Sequence, residues 1–288
     1  MYLAVDIGGT KTLVALFSKR GRVIKRYKFK TSWQKERFVR ELTAVLKHFS
    51  RPDLLAVVVA VPGVVQKNCS VRLGNRDWGD FSLVETVQAV FDCPIYFEND
   101  ANLAAVYESY RLPGKTVFLT FSTGIGGGIA TRGHILPESD EFEPGHKIYV
   151  WDGQPCEWED IASANAIRRA YHDQPVTTLK GRATYFDIAN RVAIGLKDII
   201  LAHQPNTIIL GGPLALTFKK WRMPLKIILR DSLPPHVQLP KINCAKRPNL
   251  CVSYGACYYG EQKSRQHTQD SSPNLMSENN SDTGVSRG

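Results

Sequence analysis

The sequence predicts an α/β protein built from two halves with related folds. Two glycine-rich turns carry this prediction: Gly8-Gly9 follows the apolar run Tyr2–Ile7, and Gly124–Gly128 follows the run Thr116–Ser122. β-Branched and aromatic residues flank each glycine cluster, a pattern typical of a strand, a tight turn and a second strand. Because glycine lets main-chain N–H groups converge on an anion, two such turns indicate a duplicated fold that grips one polyphosphate from two sides.

The first half is predicted to open with a three-stranded meander and to continue with alternating helices and strands. Continuous apolar character marks a strand that is buried on both faces, whereas apolar residues at helical spacing mark the helices. The predicted elements are strands at Tyr2–Ile7, Thr12–Phe17 and Val23–Phe29, a helix at Gln34–Phe49, a strand at Leu54–Val61, a helix at Leu83–Phe91, a strand at Pro94–Glu98 and a helix at Ala101–Tyr110.

The second half repeats this organisation after a chain break at Leu112-Pro113-Gly114, which is the predicted domain boundary. The domains are therefore expected at 1–112 and 113–260, with a closing helix that packs back on the first domain. The predicted elements are strands at Thr116–Ser122, Gly127–Thr131 and His134–Leu136, helices at Ile161–Tyr171 and Phe186–Ala202, strands at Thr207–Leu210 and Lys241–Asn243, and a helix that begins at Ser253–Tyr259. From Glu261 onward the composition is polar, which predicts a disordered tail over 261–288.

Bulk composition excludes several classes of protein. The 288 residues are 43% hydrophobic and 22% charged, as in ordinary globular domains, and no apolar run is long enough to span a membrane. The N-terminus lacks a basic segment followed by an apolar stretch, so we expect no signal peptide and a cytoplasmic location. The net charge of +10 is spread along the chain without a nucleic-acid-binding motif, so we expect neither nucleic acid nor membrane as a partner.

Several short motifs occur in an order and spacing that are more specific than any one of them. They are Asp6–Lys11, Val61–Gly63, Asn75 with Trp78, Glu98–Asn102, Thr123–Gly128, Glu143–His146 and Leu210–Gly212. This series, from Tyr2 to about Gly260, resembles the ROK family of sugar kinases in the actin-like ATPase superfamily. The resemblance implies two domains of related topology hinged around a cleft that binds ATP and a sugar.

The glycine turns supply the nucleotide site that this resemblance implies. In the first turn the backbone is freed by glycines and donors are supplied by neighbouring polar residues; the set is Gly8, Gly9, Thr10, Lys11 and Thr12. The resemblance implies that Asp6 holds Mg²⁺, directly or through water, since a hard cation prefers oxygen ligands. The alternative is a plain hairpin with Asp6 as a turn-capping residue. By resemblance Thr123 and Gly124, with Gly126 in the same loop, bind the β- and γ-phosphates. The resemblance also implies that Gly211-Gly212 closes over the adenosine, and the alternative is a simple turn at a strand end.

An asparagine and an aspartate that are adjacent in the sequence mark the predicted reacting centre. Asn99-Asp100 lies where a short strand meets a helix, and both residue types cap helices well. Phosphoryl transfer to an alcohol also needs a carboxylate that accepts the hydroxyl proton. The resemblance implies that Asp100 is this catalytic base and that Asn99 binds a sugar hydroxyl. Asp100 can both cap the helix and act as the catalytic base.

The sugar ligands implied by the resemblance are Asn75, Glu143, His146 and Glu159. Glu143 and His146 share a loop with Gly145, a spacing that lets both side chains point the same way. Glu159 precedes a short helix that resembles the family's helix after its last sugar-binding glutamate. Glu157 is the alternative for that last position.

The chain departs from the family at a zinc site. Many ROK proteins carry three cysteines in a CxCGxxGC pattern that bind zinc together with the histidine. Aligned backward from Glu159, the three positions hold Val150, Asp152 and Glu157, and Cys156 is the single cysteine between Lys147 and Glu159. A structural zinc site needs about four nitrogen or sulfur ligands, so we expect no zinc. Trp151 and Trp158 are the candidates for holding this segment by packing instead.

The sequence therefore predicts an ATP- and Mg²⁺-dependent kinase for a hexose, with the 6-hydroxyl of glucose as the leading acceptor. One alternative keeps the chemistry and takes inorganic polyphosphate as the donor. Another is a sugar-sensing regulator, since the family includes transcriptional repressors. Those proteins carry a DNA-binding domain ahead of the kinase-like part, whereas this sequence starts at the first strand, so the regulator is disfavoured. The resemblance also implies a homo-oligomer, with a dimer expected.

Overall fold

The chain folds as two sheets with helices packed around them. The computed structural model describes residues 1–63 and 82–270, so the predicted site residue Asn75 lies outside the described residues. The first half follows the predicted order. Its elements are β1 (Tyr2–Ile7), β2 (Lys11–Phe17), β3 (Val23–Lys30), α1 (Lys35–Phe49), β4 (Ala56–Val61), α2 (Leu83–Gln88), β5 (Ile95–Asn99) and α3 (Asp100–Ser109).

The second half begins after a turn at Gly114 and contains a hairpin that the sequence did not predict. Its elements are β6 (Lys115–Phe121), β7 (Ile125–Thr131), β8 (His134–Ile135), β9 (Ile148–Trp151), β10 (Gln154–Glu157), α4 (Trp158–Ala162), α5 (Ala164–Ala170), α6 (Arg182–His203), β11 (Thr207–Gly211), α7 (Gly212–Ala215), α8 (Phe218–Ser232), β12 (Lys241–Cys244) and α9 (Cys251–Asp270).

The two large sheets have the same topology. The first sheet has the strand order β3-β2-β1-β4-β5, in which the meander is antiparallel and β1, β4 and β5 are parallel. The second sheet has the order β8-β7-β6-β11-β12, with β6, β11 and β12 parallel. Each strand of one sheet thus has a counterpart in the other, and the predicted duplication is confirmed.

Alternation along β1 explains how the first sheet is covered on both faces. Leu3, Val5 and Ile7 pack with the apolar face of α1, whereas Tyr2 and Ala4 pack on the opposite face with residues of α3 and α9. Successive side chains of a strand point to opposite faces, so a strand buried on both sides must be apolar throughout. All six residues of β4 are accordingly buried.

Helix α3 lies between the two sheets. Leu103 packs with the first sheet and α9, while Ala101, Ala104 and Ala105 pack against Phe118 and neighbouring residues of the second sheet. Eight of its ten residues are buried. The small alanine side chains allow both sheets to approach the helix closely, so α3 connects the two halves physically as well as in sequence.

The hairpin of β9 and β10 occupies the segment in which the family's zinc cysteines are missing. Its turn has positive φ angles at Asp152 (50°) and Gly153 (75°), as a two-residue hairpin turn requires. The Tyr149 hydroxyl donates to Asp198 Oδ2 of α6 at 3.0 Å, and the Arg191 guanidinium lies 4.9 Å from the Trp151 ring centre. Side chains of α6 therefore hold the hairpin.

Trp158, just after the hairpin, is fully buried against α6. Its indole N–H donates to the Arg191 carbonyl at 3.1 Å, and a Cβ on Gly195 would overlap the indole ring. Trp151 and Trp158 both pack in this region, as expected, and the close helix approach depends on the glycine.

Several boundaries differ from the sequence prediction, and two of the differences have a clear structural cause. Helix α9 continues to Asp270, although the tail was predicted from Glu261. Gln262 explains part of the difference, because its side-chain N–H donates to the Gly133 carbonyl at 2.9 Å, and Glu261 pairs with Arg265 one turn later. The predicted helix Ile161–Tyr171 is two helices, because Ser163 ends α4 and caps α5 by accepting from Ala166 N. Within the described residues, no helix combines the length and the apolar character that crossing a bilayer demands.

Replacing Gly255 by Ala tests the packing of α9 on α3. A Cβ at Gly255 would overlap the Leu103 carbonyl oxygen, which is backbone and cannot rotate away. We expect this variant to lose about 2 kcal/mol or more of unfolding free energy through overpacking. Gly260→Ala on the same helix is the matched control, since its Cβ would lie 3.0 Å from a side-chain carbon of Val58.

In the control, the gain in helix propensity, up to about 1 kcal/mol, offsets the tighter contact. Urea unfolding followed by circular dichroism compares the two variants. Equal midpoints for Gly255→Ala and the unmodified chain would contradict the packing described for α9.

Candidate active site

The predicted site residues lie at the carboxyl ends of parallel strands. Asp6 is near the end of β1, Val61 ends β4 and is followed by Pro62-Gly63, and Asn99-Asp100 joins β5 to α3. Because these strands are parallel neighbours, their ends meet at one edge of the first sheet. In the second sheet, β6 and β11 likewise end together, which brings the loop after Phe121 beside Gly211-Gly212.

The first glycine turn is fixed from beneath by Thr31, a residue that the sequence analysis missed. Gly8 N–H donates to the Lys11 carbonyl at 3.0 Å, which closes the turn. Thr31 donates its backbone N–H to the Thr10 carbonyl at 3.0 Å and its hydroxyl to the Gly8 carbonyl at 2.9 Å. Thr12 is buried with its hydroxyl 2.9 Å from that of Thr31, so its side chain supports the turn, whereas Thr10 and Lys11 are exposed.

The second glycine turn is tied to the Glu143–His146 loop through Glu159. Ser122 N–H donates to the Gly124 carbonyl at 2.9 Å, and Ile125 N–H donates to Glu159 Oε2 at 3.1 Å. A Cβ on Gly124 would overlap that carboxylate, and one on Gly145 would lie 2.9 Å from it. Both glycines are therefore needed for the carboxylate to fit between the loops. Thr123, at the tip of the turn, is exposed.

The remaining glycines permit close backbone contacts around these turns. Gly212 has φ +78°, and a Cβ there would overlap the Phe121 carbonyl oxygen, so Gly211-Gly212 lies against the base of the second turn. Gly126 faces Thr120 and Ala101, with a Cβ position 3.3 Å and 3.9 Å from their side chains. The second turn thus lies beside the first residues of α3.

Asn99 is the N-cap of α3, as its residue type predicts. Its Oδ1 accepts from Ala101 N at 2.8 Å and from Asn102 N at 3.1 Å, while its Nδ2 donates to the Gly63 carbonyl at 3.0 Å. Among the described residues, the polar groups of the Asn99 side chain all have partners except the second N–H of its Nδ2 amide. That N–H is what Asn99 can offer to a sugar hydroxyl.

A buried network below Asp100 fixes the start of α3. Glu98 Oε1 accepts from Asn99 N at 2.9 Å and from Asn102 Nδ2 at 3.0 Å. The Ser139 hydroxyl donates to Asn102 Oδ1 at 2.6 Å and accepts from Ile129 N at 2.7 Å. The network therefore links the end of β5, the first turn of α3 and strand β7. The Glu98–Asn102 motif contributes to the family resemblance, but the sequence does not show that its polar side chains form this network.

Burial and neighbouring charge raise the pKa of two carboxyl groups in this cleft. Desolvation, reinforced by the charge of Asp100 and opposed by Lys28, raises the pKa of Asp6 to about 7. Desolvation also raises the pKa of Asp100 to about 6, with a further contribution from Glu143, while backbone N–H groups at Ala101 and Asp100 oppose the rise. Like charges that influence each other lie close together, so the two acids share one region with Glu143.

Glu143 and His146 belong to a second group of charged residues, together with Glu157 and Glu159. The pKa of Glu143 is raised, chiefly by desolvation, with His146 lowering and Glu159 raising it. His146 Nδ1 lies 3.0 Å from Glu157 Oε2. Ligand atoms of His146, Glu157 and Glu159 all lie within 4.8 Å of one another. The geometry therefore gathers Glu143, His146 and both candidate glutamates around one space.

The donor sets of the two regions differ in the metals they suit. Asp6 offers carboxylate oxygens in a desolvated region where the charge of Asp100 disfavours its ionisation, so a hard divalent cation such as Mg²⁺ fits there. The group of His146, Glu157 and Glu159 offers one nitrogen and two carboxylates, without the sulfur ligands of the family's zinc site. Cys156 does not belong to this group.

The chain matches the ROK family model over residues 2–219. N-acetylmannosamine kinase of Salmonella arizonae is 28% identical over 265 residues, which cover 82% of this chain and 91% of that protein. Glucokinase of Halalkalibacterium halodurans is 26% identical over 226 residues, covering 70% of this chain and 68% of that protein. The crystal structure of ROK hexokinase from Thermus thermophilus has a TM-score of 0.76 at 23% identity, covering 92% of this chain and 99% of that chain.

The structural likeness, at this identity, bears on the fold and confirms the predicted two-domain actin-like arrangement. The family model spans most of the chain and includes both glycine turns, Asp100 and the Glu143–His146 loop. The family inferred from motif order is thereby confirmed: this chain belongs to the ROK family.

Proposed function

We propose that the protein is a sugar kinase that transfers the γ-phosphoryl group of ATP to a hexose hydroxyl, with Asp100 as the catalytic base. The observation that carries this proposal is the position of Asp100. It begins α3, its charge acts on Asp6, which precedes the first glycine turn, and the charge of Glu143, in the loop with His146, acts on Asp100. The glycine turn suits a polyphosphate, and Glu143 with His146 suits a polyol. A base between an anion site and a hydroxyl site is what phosphoryl transfer to an alcohol requires.

The donor side would be held by the two glycine turns. Backbone N–H groups of the first turn and the exposed side chains of Thr10 and Lys11 are donors for phosphate oxygens. Thr123 and Gly124 form the opposing turn, with Gly211-Gly212 beside its base. Asp6 would hold Mg²⁺, directly or through water, which when bound neutralises charge on the transferring phosphoryl group.

The acceptor side would be held by Glu143, His146 and Glu159, with the remaining N–H of Asn99. The sugar oxygen attacks the γ-phosphorus, the bond from phosphorus to the bridging oxygen of ADP breaks, and the hydroxyl proton passes to the Asp100 carboxylate. A pKa of about 6 leaves this carboxylate mostly ionised at neutral pH and basic enough to take the proton. Closing the cleft would exclude water as a competing acceptor.

Glucose, at its 6-hydroxyl, and N-acetylmannosamine are the two acceptors that we propose to compare first. Glucose follows from the motif pattern and from the glucokinase relative, and N-acetylmannosamine from the relative that is 28% identical over most of both chains. Both sugars present vicinal hydroxyls that carboxylates and an imidazole can bind. Inorganic polyphosphate is retained as an alternative donor in the experiment that follows.

A coupled assay with a panel of hexoses and amino sugars, run in parallel with ATP and with polyphosphate, tests the function. We expect turnover of at least one sugar with ATP and Mg²⁺. Replacing Asp100 by Asn should lower kcat by roughly 10²- to 10⁴-fold, the usual contribution of a general base, with a much smaller change in sugar KM. No turnover of any sugar with either donor, or near-normal kcat in the variant, would contradict the proposal.

The pH dependence of kcat/KM reports the base in the free enzyme. Because Asp100 must be ionised to accept a proton, activity should fall as the pH drops through about 6. The Glu143 charge helps to raise this pKa, so Glu143→Gln should move the acid limb to lower pH, whatever it does to sugar affinity. Glu261→Gln on α9 is the control and should leave the limb in place. An acid limb that Glu143→Gln does not move argues against this electrostatic neighbour.

Ser139→Ala tests whether the buried network positions Asp100. The change leaves Asn102 Oδ1 and Ile129 N without their Ser139 partner, at a cost of roughly 1–3 kcal/mol. The matched control is Ser109→Ala, which removes another buried hydroxyl that accepts from Gly133 N at the far end of α3. Both should lower the thermal midpoint, but only Ser139→Ala should lower kcat several-fold. Equal kcat in the two variants would show that the network is merely structural.

A further inference from the structure

We propose that Glu157 is a positioning residue that fixes the ring orientation and tautomer of His146 through the hydrogen bond at Nδ1. This inference rests on the proposed function, because His146 affects catalysis only if it contacts the sugar. It assigns different jobs to the two glutamates that compete for the last sugar position in the sequence. Glu157 acts on His146, and Glu159 faces the second glycine turn.

Backbone pairing brings Glu157 to His146. Glu157 is the last residue of β10 and pairs with Ile148, the first residue of β9. His146 ends a short 3₁₀ turn two residues before Ile148. Trp158 N–H donates to the Lys147 carbonyl at 2.9 Å, which extends the pairing past the end of the hairpin. The contact between the two side chains is therefore set by strand register.

The hairpin is anchored independently of any ligand. Asp198 of α6 accepts from the Tyr149 hydroxyl at 3.0 Å and lies 2.7 Å from Lys147 Nζ. Trp158, the residue after Glu157, is fully buried against α6. Both ends of the segment that carries Glu157 are thus attached to the same long helix, which gives the carboxylate a fixed platform beneath the imidazole.

The chemistry of the contact selects one tautomer. A carboxylate can only accept, so its 3.0 Å contact with Nδ1 requires the proton on Nδ1. In the neutral ring, Nε2 then carries the lone pair and accepts from a sugar hydroxyl, while the protonated ring donates from both nitrogens. A histidine that is 60% exposed at its side chain would otherwise rotate and exchange tautomers freely.

The charges around His146 come from three carboxylates. The hydrogen bond that His146 donates to Glu157 is the largest influence and raises the pKa of His146, partial burial lowers it, and the charges of Glu159, Glu157 and Glu143 raise it further. Lys147, the adjacent cation, is paired with Asp198. Glu159 is separately engaged, because its Oε2 accepts from Ile125 N at 3.1 Å, whereas the Nδ1 contact of His146 is made by Glu157.

Two substitutions test whether the hydrogen-bond acceptor of Glu157 orients His146. In Glu157→Gln the amide oxygen still accepts from Nδ1–H, whereas Glu157→Ala removes the acceptor. We expect Glu157→Ala to raise sugar KM roughly tenfold, in the range found when an orienting partner of a histidine is lost, with ATP KM unchanged. Glu157→Gln should stay within about threefold of the unmodified chain. Glu261→Ala, which breaks an exposed pair with Arg265, is the control and should change neither constant.

A spectroscopic readout makes the test independent of activity. Nitrogen NMR of chain labelled at its seven histidines, with His146→Gln to assign the signal, reports which ring nitrogen carries the proton. At a pH high enough for the ring to be neutral, we expect the Nδ1–H tautomer in the unmodified chain and in Glu157→Gln, and a mixture in Glu157→Ala. If the unmodified chain phosphorylates no sugar, the proposed function fails while the NMR comparison still decides the role of Glu157.

Three results would overturn the inference. The first is an unchanged tautomer and unchanged sugar KM in Glu157→Ala. The second is a Glu157→Gln variant as impaired as Glu157→Ala, because a retained acceptor would then not matter. The third is one zinc ion per purified chain that is lost in Glu157→Ala, measured by plasma mass spectrometry, since Glu157 would then be holding a metal. Circular dichroism of each variant checks folding, and the glutamine variant preserves shape if the alanine variant does not fold.

Discussion

The fold depends on backbone contacts that only glycine allows around helix α3. A Cβ on Gly128 would meet the Ala101 carbonyl of α3, and one on Gly255 would overlap the Leu103 carbonyl on another side of the same helix. Strand β7 and helix α9 therefore touch the α3 main chain directly. The contacts of β7 and α9 with α3 fix where the first residue of α3 lies, and that residue is Asp100. The carboxylate that we propose as the catalytic base is thus positioned by backbone packing.

The same packing determines the electrostatics of the cleft. A helix start that is enclosed by two sheets desolvates its own carboxylate, which is why the pKa of Asp100 is raised although backbone N–H groups at the helix start oppose the rise. Asp6 reaches the same enclosure from β1 and is affected in the same direction. Two neighbouring carboxylates repel each other when both are ionised, which destabilises the folded state. The same negative charge favours the binding of a cation. Stability and function thus make opposite demands at this edge.

Much of this arrangement is predictable because local patterns decide it. Strand ends rich in glycine, the apolar run of β4 and the alternation in β1 each leave one reasonable structure. What the sequence could not show are partners distant along the chain. Thr31 reaches back to the first turn, and Ser139 reaches Asn102 across 37 positions. Such contacts depend on tertiary placement, which carries no local periodicity.

The hairpin before α4 was missed for a different reason. Its first strand, Ile148–Trp151, consists of strong strand formers and is followed by the turn residues Asp152-Gly153, so a local signal was present, but Pro155 in the second strand weakens the pattern. The hairpin forms because α6 offers Asp198 and Arg191 as partners. In the sequence, Glu157 and Glu159 differ only in position, so both remained candidates for the last sugar ligand. In the structure each has a different hydrogen-bond partner.

The return of α9 to the first sheet has a mechanical consequence. The chain passes from the first sheet to the second after α3 and passes back between β12 and α9, so two separate connections join the halves. Two fixed points define a line, and rotation about that line stretches neither connection. A single tether would permit swivelling in every direction. If the cleft opens, we expect rotation about that line to be the motion that these connections oppose least, which would bring the two glycine turns back to the same relative position on closing.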